Sequence, residues 1–358
     1  MKGLKRLFAT LIVFVASFAA TTSVFAFSFD LDSIAAMGKF PRFIVNTYNW
    51  GNTFFNGYDT TYVQGTGYKF CAKLTTDSWT DGYSFQLPEN KSMFMVSEPS
   101  TSVGLYLSYL ALSVGYDINI SKLITGLDRS RQRFRFGFNC MLFSAEAYLI
   151  RNDIGTTIKR FGDNSNPIRP DYTFNGIDNA SWGIDAYYFF NHKKYSEAAA
   201  FNFSRIQKRS QGSFYTGFSI YAQRLDFRFN ELPPSYRDEL PETWAPDYDY
   251  RVKTNNYALR IGYGYNWVFR RGWVLGISES PIIGVRDGYV TPWIEGKSRK
   301  VSLSLFNRAK LSVVWNSNQW FFGAVAMADL AIINNHKTTY TGGTLSGEAV
   351  LGYRFNLW

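Results

Sequence analysis

Residues 344–358, TLSGEAVLGYRFNLW, close the chain, and their pattern decides the fold. Apolar side chains occupy alternate positions, and mostly polar residues or glycine lie between them. The apolar set comprises Leu345, Ala349, Leu351, Tyr353, Phe355 and Leu357. Because successive side chains of an extended strand point to opposite faces, this period of two predicts a strand with one apolar and one polar face. The residues upstream should therefore supply matching strands.

The end of this strand resembles the C-terminal assembly signal of bacterial outer-membrane β-barrels. In that signal a glycine is followed three and five residues later by an aromatic and an apolar residue, as in Gly352, Phe355 and Leu357. Two positions differ, since Val350 stands where a polar residue is usual and Trp358 adds one residue. The resemblance implies that the chain is a client of the outer-membrane barrel assembly machinery.

The N-terminus predicts export. Lys2, Lys5 and Arg6 precede the apolar residues 7–19, and residues 24–26, VFA, suit a signal peptidase. Removal of these three cations lowers the formal net charge from +10 to +7. We expect three regions: a cleaved signal peptide over 1–26, a periplasmic lead-in or plug segment over 27–60, and a barrel over 61–358.

Composition agrees with a barrel in the outer membrane. After the predicted signal peptide, no apolar run approaches the roughly 20 residues of a spanning helix. Alternation hides hydrophobicity, so a hydrophobic fraction of 46% and a mean hydropathy of −0.18 suit strands that face lipid on one side. Aromatic residues make up 18% of the chain, as expected for girdles at two membrane interfaces. Outer-membrane lipid and lipopolysaccharide are the expected surroundings.

Alternating segments recur along the chain from about residue 68. The clearest cover residues 102–109, 112–119, 133–140, 182–190, 257–267, 301–315 and 320–332, and residues 199–203 continue the pattern. There are about 13 candidates, whereas a bacterial barrel should have an even number of strands. We predict an all-β fold, a transmembrane antiparallel β-barrel of about 12 strands, with 14 as the alternative.

The turns predict the orientation. Trp267, Trp273, Trp315, Trp320 and Trp358 flank short turns or the chain end, so they should form the periplasmic girdle. The long connections over residues 153–179, 229–251 and 286–295 should lie outside the cell. Glu279 falls on a lipid-facing position and Pro281 follows it, which predicts a bulge or a strand end there.

Three motifs resemble a family of uncharacterised outer-membrane proteins of Bacteroidota, known as a domain of unknown function. They are residues 59–63, DTTYV, residues 207–214, QKRSQGSF, and residues 262–268, GYGYNWV. The resemblance covers roughly residue 45 to the end. It implies an outer-membrane barrel and no activity.

The polar faces of the strands carry charges of both signs. Six basic and five acidic residues should face the lumen: Arg133, Arg135, Arg260, Arg308, Lys310 and Arg354, against Asp117, Glu146, Asp185, Asp329 and Glu348. Such charges can pair across the lumen, whereas an open anion pore would tend to carry a ring of one sign. We therefore predict a structural or narrow-channel role, with a narrow or plugged lumen and at most a weakly anion-preferring conductance.

The two strand faces should tolerate arginine differently. Arginine at the lipid-facing positions Ile261 or Leu305 should cost roughly 2 to 4 kcal/mol near the membrane midplane. Arginine at Ala258 or Ser304 should be milder, because these residues face the lumen.

A secreted β-sandwich that binds glycans is the competing class. The loop over residues 229–251 holds four prolines and six acidic residues, together with Tyr236, Trp244, Tyr248 and Tyr250. These rings could grip a saccharide or a cation, or the loop could be a rigid, solvated lid. Residues 257–267 match the roughly 9 to 11 residues of a membrane strand, and sandwich strands are usually nearer 5 or 6.

Side chains for catalysis are sparse. A hydrolase usually needs a histidine base, and His192 and His336 both look like solvated turn residues. A lipid hydrolase centred on His336 is the remaining enzymatic alternative. We expect no enzymatic activity, cofactor, metal or nucleic-acid partner. The sequence leaves open whether Cys71 and Cys140 pair.

The short basic cluster of Arg205, Lys208 and Arg209 has two interpretations. On a surface loop it could contact anionic lipopolysaccharide, and otherwise it is a solvated turn.

Overall fold

The computed structural model describes residues 42, 46, 54–110, 112–121, 131–152, 155–244, 248–290, 300–335 and 338–356. The predicted signal peptide, nearly all of the predicted lead-in, His336, Leu357 and Trp358 lie outside these residues. The strands belong to one compact unit, residues 55–356. Within the described ranges no helix has the length and apolarity to cross a membrane.

The strands vary from 3 to 22 residues in length. In chain order they are β1 (Val63–Gly65), β2 (Phe70–Gln86), β3 (Lys91–Ser97), β4 (Ser100–Tyr109), β5 (Leu112–Asn119), β6 (Arg131–Asn139), β7 (Phe143–Asn152), β8 (Thr156–Asp163), β9 (Tyr172–Phe174), β10 (Ile177–Phe189), β11 (Arg205–Gln207), β12 (Gln211–Arg228), β13 (Asp249–Arg270), β14 (Trp273–Val290), β15 (Lys300–Asn316), β16 (Trp320–Asn335) and β17 (Thr338–Phe355). One short helix, α1 (Pro234–Arg237), lies between β12 and β13.

Twelve of these strands close into an antiparallel barrel. Their order is β2, β4, β5, β6, β7, β10, β12, β13, β14, β15, β16 and β17, and β17 returns to pair with β2. The predicted all-β fold with 12 strands is confirmed, and the alternative of 14 is wrong. The expectation that residues 199–203 continue a strand is also wrong, because Ala198–Asn202 form a buried π-helical turn. Alanine has a weak preference for strands, so its alternation with phenylalanine was a poor signal.

The outer surface of the barrel is apolar and the inner surface is polar. Leu259, Ile261 and Leu303 are 65–69% exposed on the outside, whereas Arg260 and Ser304, on the inside, are at most 3% exposed. A soluble protein rarely exposes so much contiguous apolar surface, but a strand that faces lipid must do so. The barrel is therefore a transmembrane one.

The two ends of the barrel differ in their connections. At one end, turns of two or three residues join β4 to β5, β6 to β7, β13 to β14 and β15 to β16. We call this the inner end, because bacterial barrels have their short turns in the periplasm. Trp267, Trp273, Trp315 and Trp320 all lie beside these turns, as the sequence predicts.

The outer end carries an extension of the barrel wall. β2 leaves β4 after Trp79 and pairs with β3 from Gly82 onward. β8 pairs with β3, and β9 with β8. The region 153–179, predicted as a loop, therefore contains two strands as well as the start of β10.

Glu279 lies within β14 on the exposed outer face, and no bulge accompanies it. The expected bulge or strand end at Pro281 is wrong, because Pro281 pairs in register with Asn307 on β15. On the other side of β14, the ladder to β13 skips two positions between Ile282 and Glu279. Proline lacks an N–H to donate, which accounts for the gap. Asn307 Nδ2 donates a hydrogen bond to Glu279 Oε1 at 2.6 Å.

Candidate functional site

The inner faces of the barrel strands enclose a cavity of about 410 Å³, which we call the chamber. Charged side chains of both signs line it. They are Lys73, Asp77, Asp81, Arg133, Arg135, Glu146, Asp185, Glu197, Arg260, Arg308, Lys310, Asp329 and Glu348. Side chains reach the chamber from every second position of a strand, because the outward positions alternate with them.

One wall of the chamber is built around two arginines of β6. Arg133 Nη2 lies 2.8 Å from Asp77 Oδ2, and its Nε lies 3.0 Å from Asp117 Oδ2. Arg135 Nη2 lies 3.4 Å from Glu348 Oε2 and 3.8 Å from Asp117 Oδ2. The pair between Arg135 and Glu348 joins β6 to β17, strands that are four positions apart around the barrel.

Tyr106 completes this wall. Its hydroxyl donates to Asp117 Oδ2 at 2.7 Å and accepts from Arg135 Nε at 2.7 Å. The Arg135 guanidinium also lies 4.8 Å from the centre of the Tyr106 ring. The ring lies over Gly115, where any side chain would collide with it. A glycine at this position of β5 is therefore what allows the network to form.

The facing wall is organised around Arg308 of β15 and Asp185 of β10. Arg308 forms a two-pronged pair with Asp329, with nitrogen–oxygen distances of 2.6 and 3.1 Å. Its Nη1 lies 3.6 Å from Asp185 Oδ2. Asp185 also lies 3.5 Å from Arg260 Nη2 and accepts a hydrogen bond from the Ser219 hydroxyl. Ion pairs thus connect non-adjacent strands within the lumen.

Three other residues predicted to face the lumen belong to neither of these two networks. Lys310 pairs with Glu197 at 2.7 Å, and Glu197 belongs to the connection between β10 and β12. Glu146 faces the chamber and forms no ion pair with a described residue. Arg354 lies at the inner end, where it donates to the carbonyl oxygens of Phe203 and Asn318.

Sequence reasoning missed Lys73, Asp77, Asp81 and Glu197 as chamber residues. β2 carries the first three, and its alternation of apolar and polar residues ends at Leu74. Beyond that point the outward positions are polar, so the pattern no longer shows an apolar face. Every second residue from Lys73 to Phe85 faces inward, and this period of two is the signal that could have extended the predicted strand.

Aromatic side chains close the lumen above the chamber. Phe85 of β2 contacts the rings of Phe227, Trp244, Tyr250 and Tyr340, with centroid distances between 5.1 and 6.3 Å. Trp244 is 3% exposed and Tyr250 is 0% exposed. These two rings are not available to grip a saccharide, so the prediction of an exposed aromatic loop is wrong for them. Burial against the barrel interior stabilises the loop more than solvent exposure would.

The connection between β10 and β12 enters the lumen from the inner end. We call residues 195–203 the inserted segment, and Tyr195, Ala199, Ala200 and Phe203 within it are buried. Phe203 stacks on Phe321 with ring centroids 5.5 Å apart. Lys310 holds Glu197, as described above, and Lys73 Nζ donates to Asn202 at 3.3 Å. The chamber is thus covered from below by the chain itself.

The three motifs noted in the sequence meet beneath this segment. Gln207 Nε2 lies 3.3 Å from the carbonyl oxygen of Tyr62 and 2.7 Å from that of Lys194. Gln207 Oε1 accepts from Ser196 N at 3.0 Å and from Asn266 Nδ2 at 3.2 Å. Asn266 is fully buried and also donates to Ser196 O at 2.8 Å. One glutamine therefore ties the N-terminal motif, the inserted segment and β13 together.

The basic cluster also lies at the inner end. Arg205 Nη2 donates to Asn56 at 3.3 Å, Lys208 Nζ to the carbonyl oxygen of Thr60 at 2.9 Å, and Arg209 lies over the Tyr62 ring at 5.7 Å. The short turns indicate that this end faces the periplasm, and a contact of the cluster with lipopolysaccharide stays a prediction.

The two histidines and the two cysteines are the next candidates for chemistry. His192 lies in an inner turn, where burial lowers its pKa, and its Nδ1 is 3.3 Å from Phe189 O. His336 lies outside the described residues. In the ranges given above, His, Cys, Asp and Glu form no group that could hold a metal ion. Cys71 and Cys140 are both free thiols.

Comparisons with known proteins give a family and distant structural similarities. Residues 57–355 match a domain of unknown function, DUF4421. No curated protein matches the sequence. Similar solved structures include the outer membrane protease OmpT from Escherichia coli, with 10% identity over 80% of this chain and 97% of that chain and a TM-score of 0.39. The P. putida toluene transporter TodX has 8% identity over 81% and 91%, with a TM-score of 0.29.

The translocator domain of the autotransporter NalP from Neisseria meningitidis has 11% identity over 79% of this chain and 88% of that chain, with a TM-score of 0.33. These three proteins differ in what they do. At such identities and TM-scores, none of their activities is carried to this chain.

Proposed function

We propose that this chain, which belongs to the DUF4421 family and is an outer-membrane β-barrel, is a narrow channel that is closed at rest. The observation that carries the proposal is the chamber of about 410 Å³, lined by charges and covered at both ends. The Bacteroidota origin that the motifs indicate remains a prediction.

The charges of the chamber favour a channel over a purely structural barrel. Replacement of a buried ion pair by well-packed apolar side chains is often neutral or stabilising, so stability alone does not call for such networks. A channel for small polar or charged solutes does need a polar path. The chamber offers such a path, because it is lined by Glu146, Glu348 and Lys73. These charged groups can exchange their present contacts for contacts with a solute.

The inserted segment is the better candidate for a gate. Polar contacts from Lys310, Lys73 and Gln207 hold it, and each can be replaced by water at modest cost. The inserted segment buries two large rings, Tyr195 and Phe203, whereas the aromatic cluster at the outer end buries many more, whose exposure costs more. We therefore place opening at the inner end first.

Planar-bilayer recording tests the proposal. The wild type should show little conductance. A variant with residues 198–203 replaced by a glycine-serine linker, combined with Trp244→Ala, should conduct continuously. Trp267→Ala, on the outer surface, is the matched control and should behave as the wild type. A large, steady conductance of the wild type would refute closure at rest.

A structural, non-conducting barrel is the second candidate, because the ion pairs that cross the lumen also fill part of it. Heat-modifiable gel mobility first establishes that the combined variant has folded. If this folded variant still does not conduct, the structural role is the better one and the channel is refuted.

A further inference from the structure

Arg286 differs from the arginines of the chamber. It lies on the inner face of β14 and is 4% exposed. Its Nε and Nη2 donate to one hydroxyl, Ser302 Oγ, at 3.2 and 3.0 Å. Nη1 is buried and has no hydrogen-bond partner. Among the described residues no carboxylate lies within ion-pair distance of this guanidinium, whereas Arg133, Arg135, Arg260 and Arg308 each have one.

Other polar groups surround this position. Tyr221, Asn256, Arg286 and Ser302 stand directly opposite one another on the consecutive strands β12 to β15. Ser304 is the next inward residue after Ser302 on β15 and is 0% exposed. The hydroxyl groups of Tyr221 and Ser304 are buried and, like Arg286 Nη1, have no partner. Buried polar atoms without partners therefore accumulate on one patch of the inner wall. Three of them can donate a hydrogen bond, and the fourth, Asn256 Oδ1, is an acceptor.

An arginine keeps its charge, so burial of this side chain without a counter-ion is costly. Each buried donor without a partner adds a further cost in folding free energy. Both costs disappear if an anion occupies the patch, because the anion compensates the charge and accepts the free hydrogens.

We propose that Arg286, with the hydroxyls of Tyr221 and Ser304, binds a small anion in the lumen, either a halide or a single carboxylate group. Ser302 occupies the Nε/Nη2 edge of the guanidinium, so the anion contacts the free end of the group at Nη1. A small monovalent anion fits this geometry better than a phosphate, which seeks several donors. The site forms whether or not the barrel conducts.

Chloride titration of the folded barrel in detergent tests the site. Sodium chloride replaces sodium gluconate at constant ionic strength, and the midpoint of thermal unfolding is measured. Binding to the folded state alone should raise the midpoint of the wild type as chloride increases. Arg286→Gln should abolish this dependence. Arg308→Gln is the matched control, since it lowers stability but should keep the dependence on chloride.

Two further measurements keep the proposal refutable if Arg286→Gln fails to fold. Sodium formate in place of chloride separates a carboxylate from a halide, because only the preferred anion shifts the midpoint at low concentration. Crystals of the wild type grown in sodium bromide should show anomalous scattering beside Arg286 Nη1. Absence of that peak together with a chloride-independent midpoint would overturn the proposal, as would an unchanged chloride dependence in folded Arg286→Gln.

Discussion

Arginine at Ile261 should destabilise the folded barrel by roughly 2 to 4 kcal/mol, because Ile261 faces lipid near the midplane. Its side chain is 67% exposed on the outer surface. It stands six residues along β13 from Trp267, which marks the inner girdle. At about 3.4 Å per residue and a tilt of roughly 40°, that separation rises about 15 Å, half of a hydrocarbon core of about 30 Å.

The matched luminal variant is Ser346→Arg. Ser346 lines the chamber, which has free volume and carboxylates, so the new guanidinium gains space and partners there. The free energy of unfolding from denaturant titrations in lipid vesicles should fall for Ile261→Arg far more than for Ser346→Arg. Equal losses for the two variants would refute the assignment of lipid and lumen faces.

The structure changes the expectation for Ala258 and Ser304. Both face inward as predicted, but they are 5% and 0% exposed, and Ser304 neighbours the unpaired Arg286. An arginine there would overpack the wall, and at Ser304 it would add a like charge. Substitution at these two positions should therefore be no milder than at Ile261.

Three other predictions concern the lumen and the orientation. Arg308→Met should cost about 3 to 5 kcal/mol of folding free energy, because it leaves Asp329 uncompensated. In a thermodynamic cycle, the double variant with Asp329→Leu should recover part of this loss, and additive losses would argue against coupling of the two residues. Gln207→Leu should loosen the inserted segment, because the side chain of Gln207 bonds to its backbone. A cysteine placed at Ser346 should then react faster with a thiol reagent added from the inner end. An unchanged rate would mean that Gln207 does not hold the inserted segment. An epitope inserted after Pro241 should be detected on intact cells and one between Arg270 and Gly272 should not, and the reverse pattern would invert the barrel.

The sequence predicted the membrane strands because a lipid-facing strand must alternate. β13 and β15 show this most clearly, since lipid removes every alternative for their outward side chains. β3, β8 and β9 lie beyond the apolar outer band, where no such constraint acts, and they were missed. The backbone conformation of residues 195–203 was not predicted, for a related reason. An apolar segment that is buried in the lumen can adopt any backbone conformation.

The sequence predicts that charged residues face the lumen but not which of them form ion pairs with one another. Alternation alone shows that Arg135 and Arg308 point inward. Their partners Glu348 and Asp185 stand four strands away, and such distances depend on closure and register rather than on local pattern.

Lys73, Glu146, Arg286 and Arg354 form no ion pair with a described residue, and Glu146 is the negative member of this set. Glu146 faces the chamber, and Arg286 lies outside the set of side chains that line it. These charges contribute to the field that a solute meets along the lumen. A barrel that only filled its interior would have no reason to separate them. Opposite charges at separate positions, each free to bind, would suit a path along which small ions of either sign pass from one charged group to the next. A single ring of charges would instead select ions of one sign.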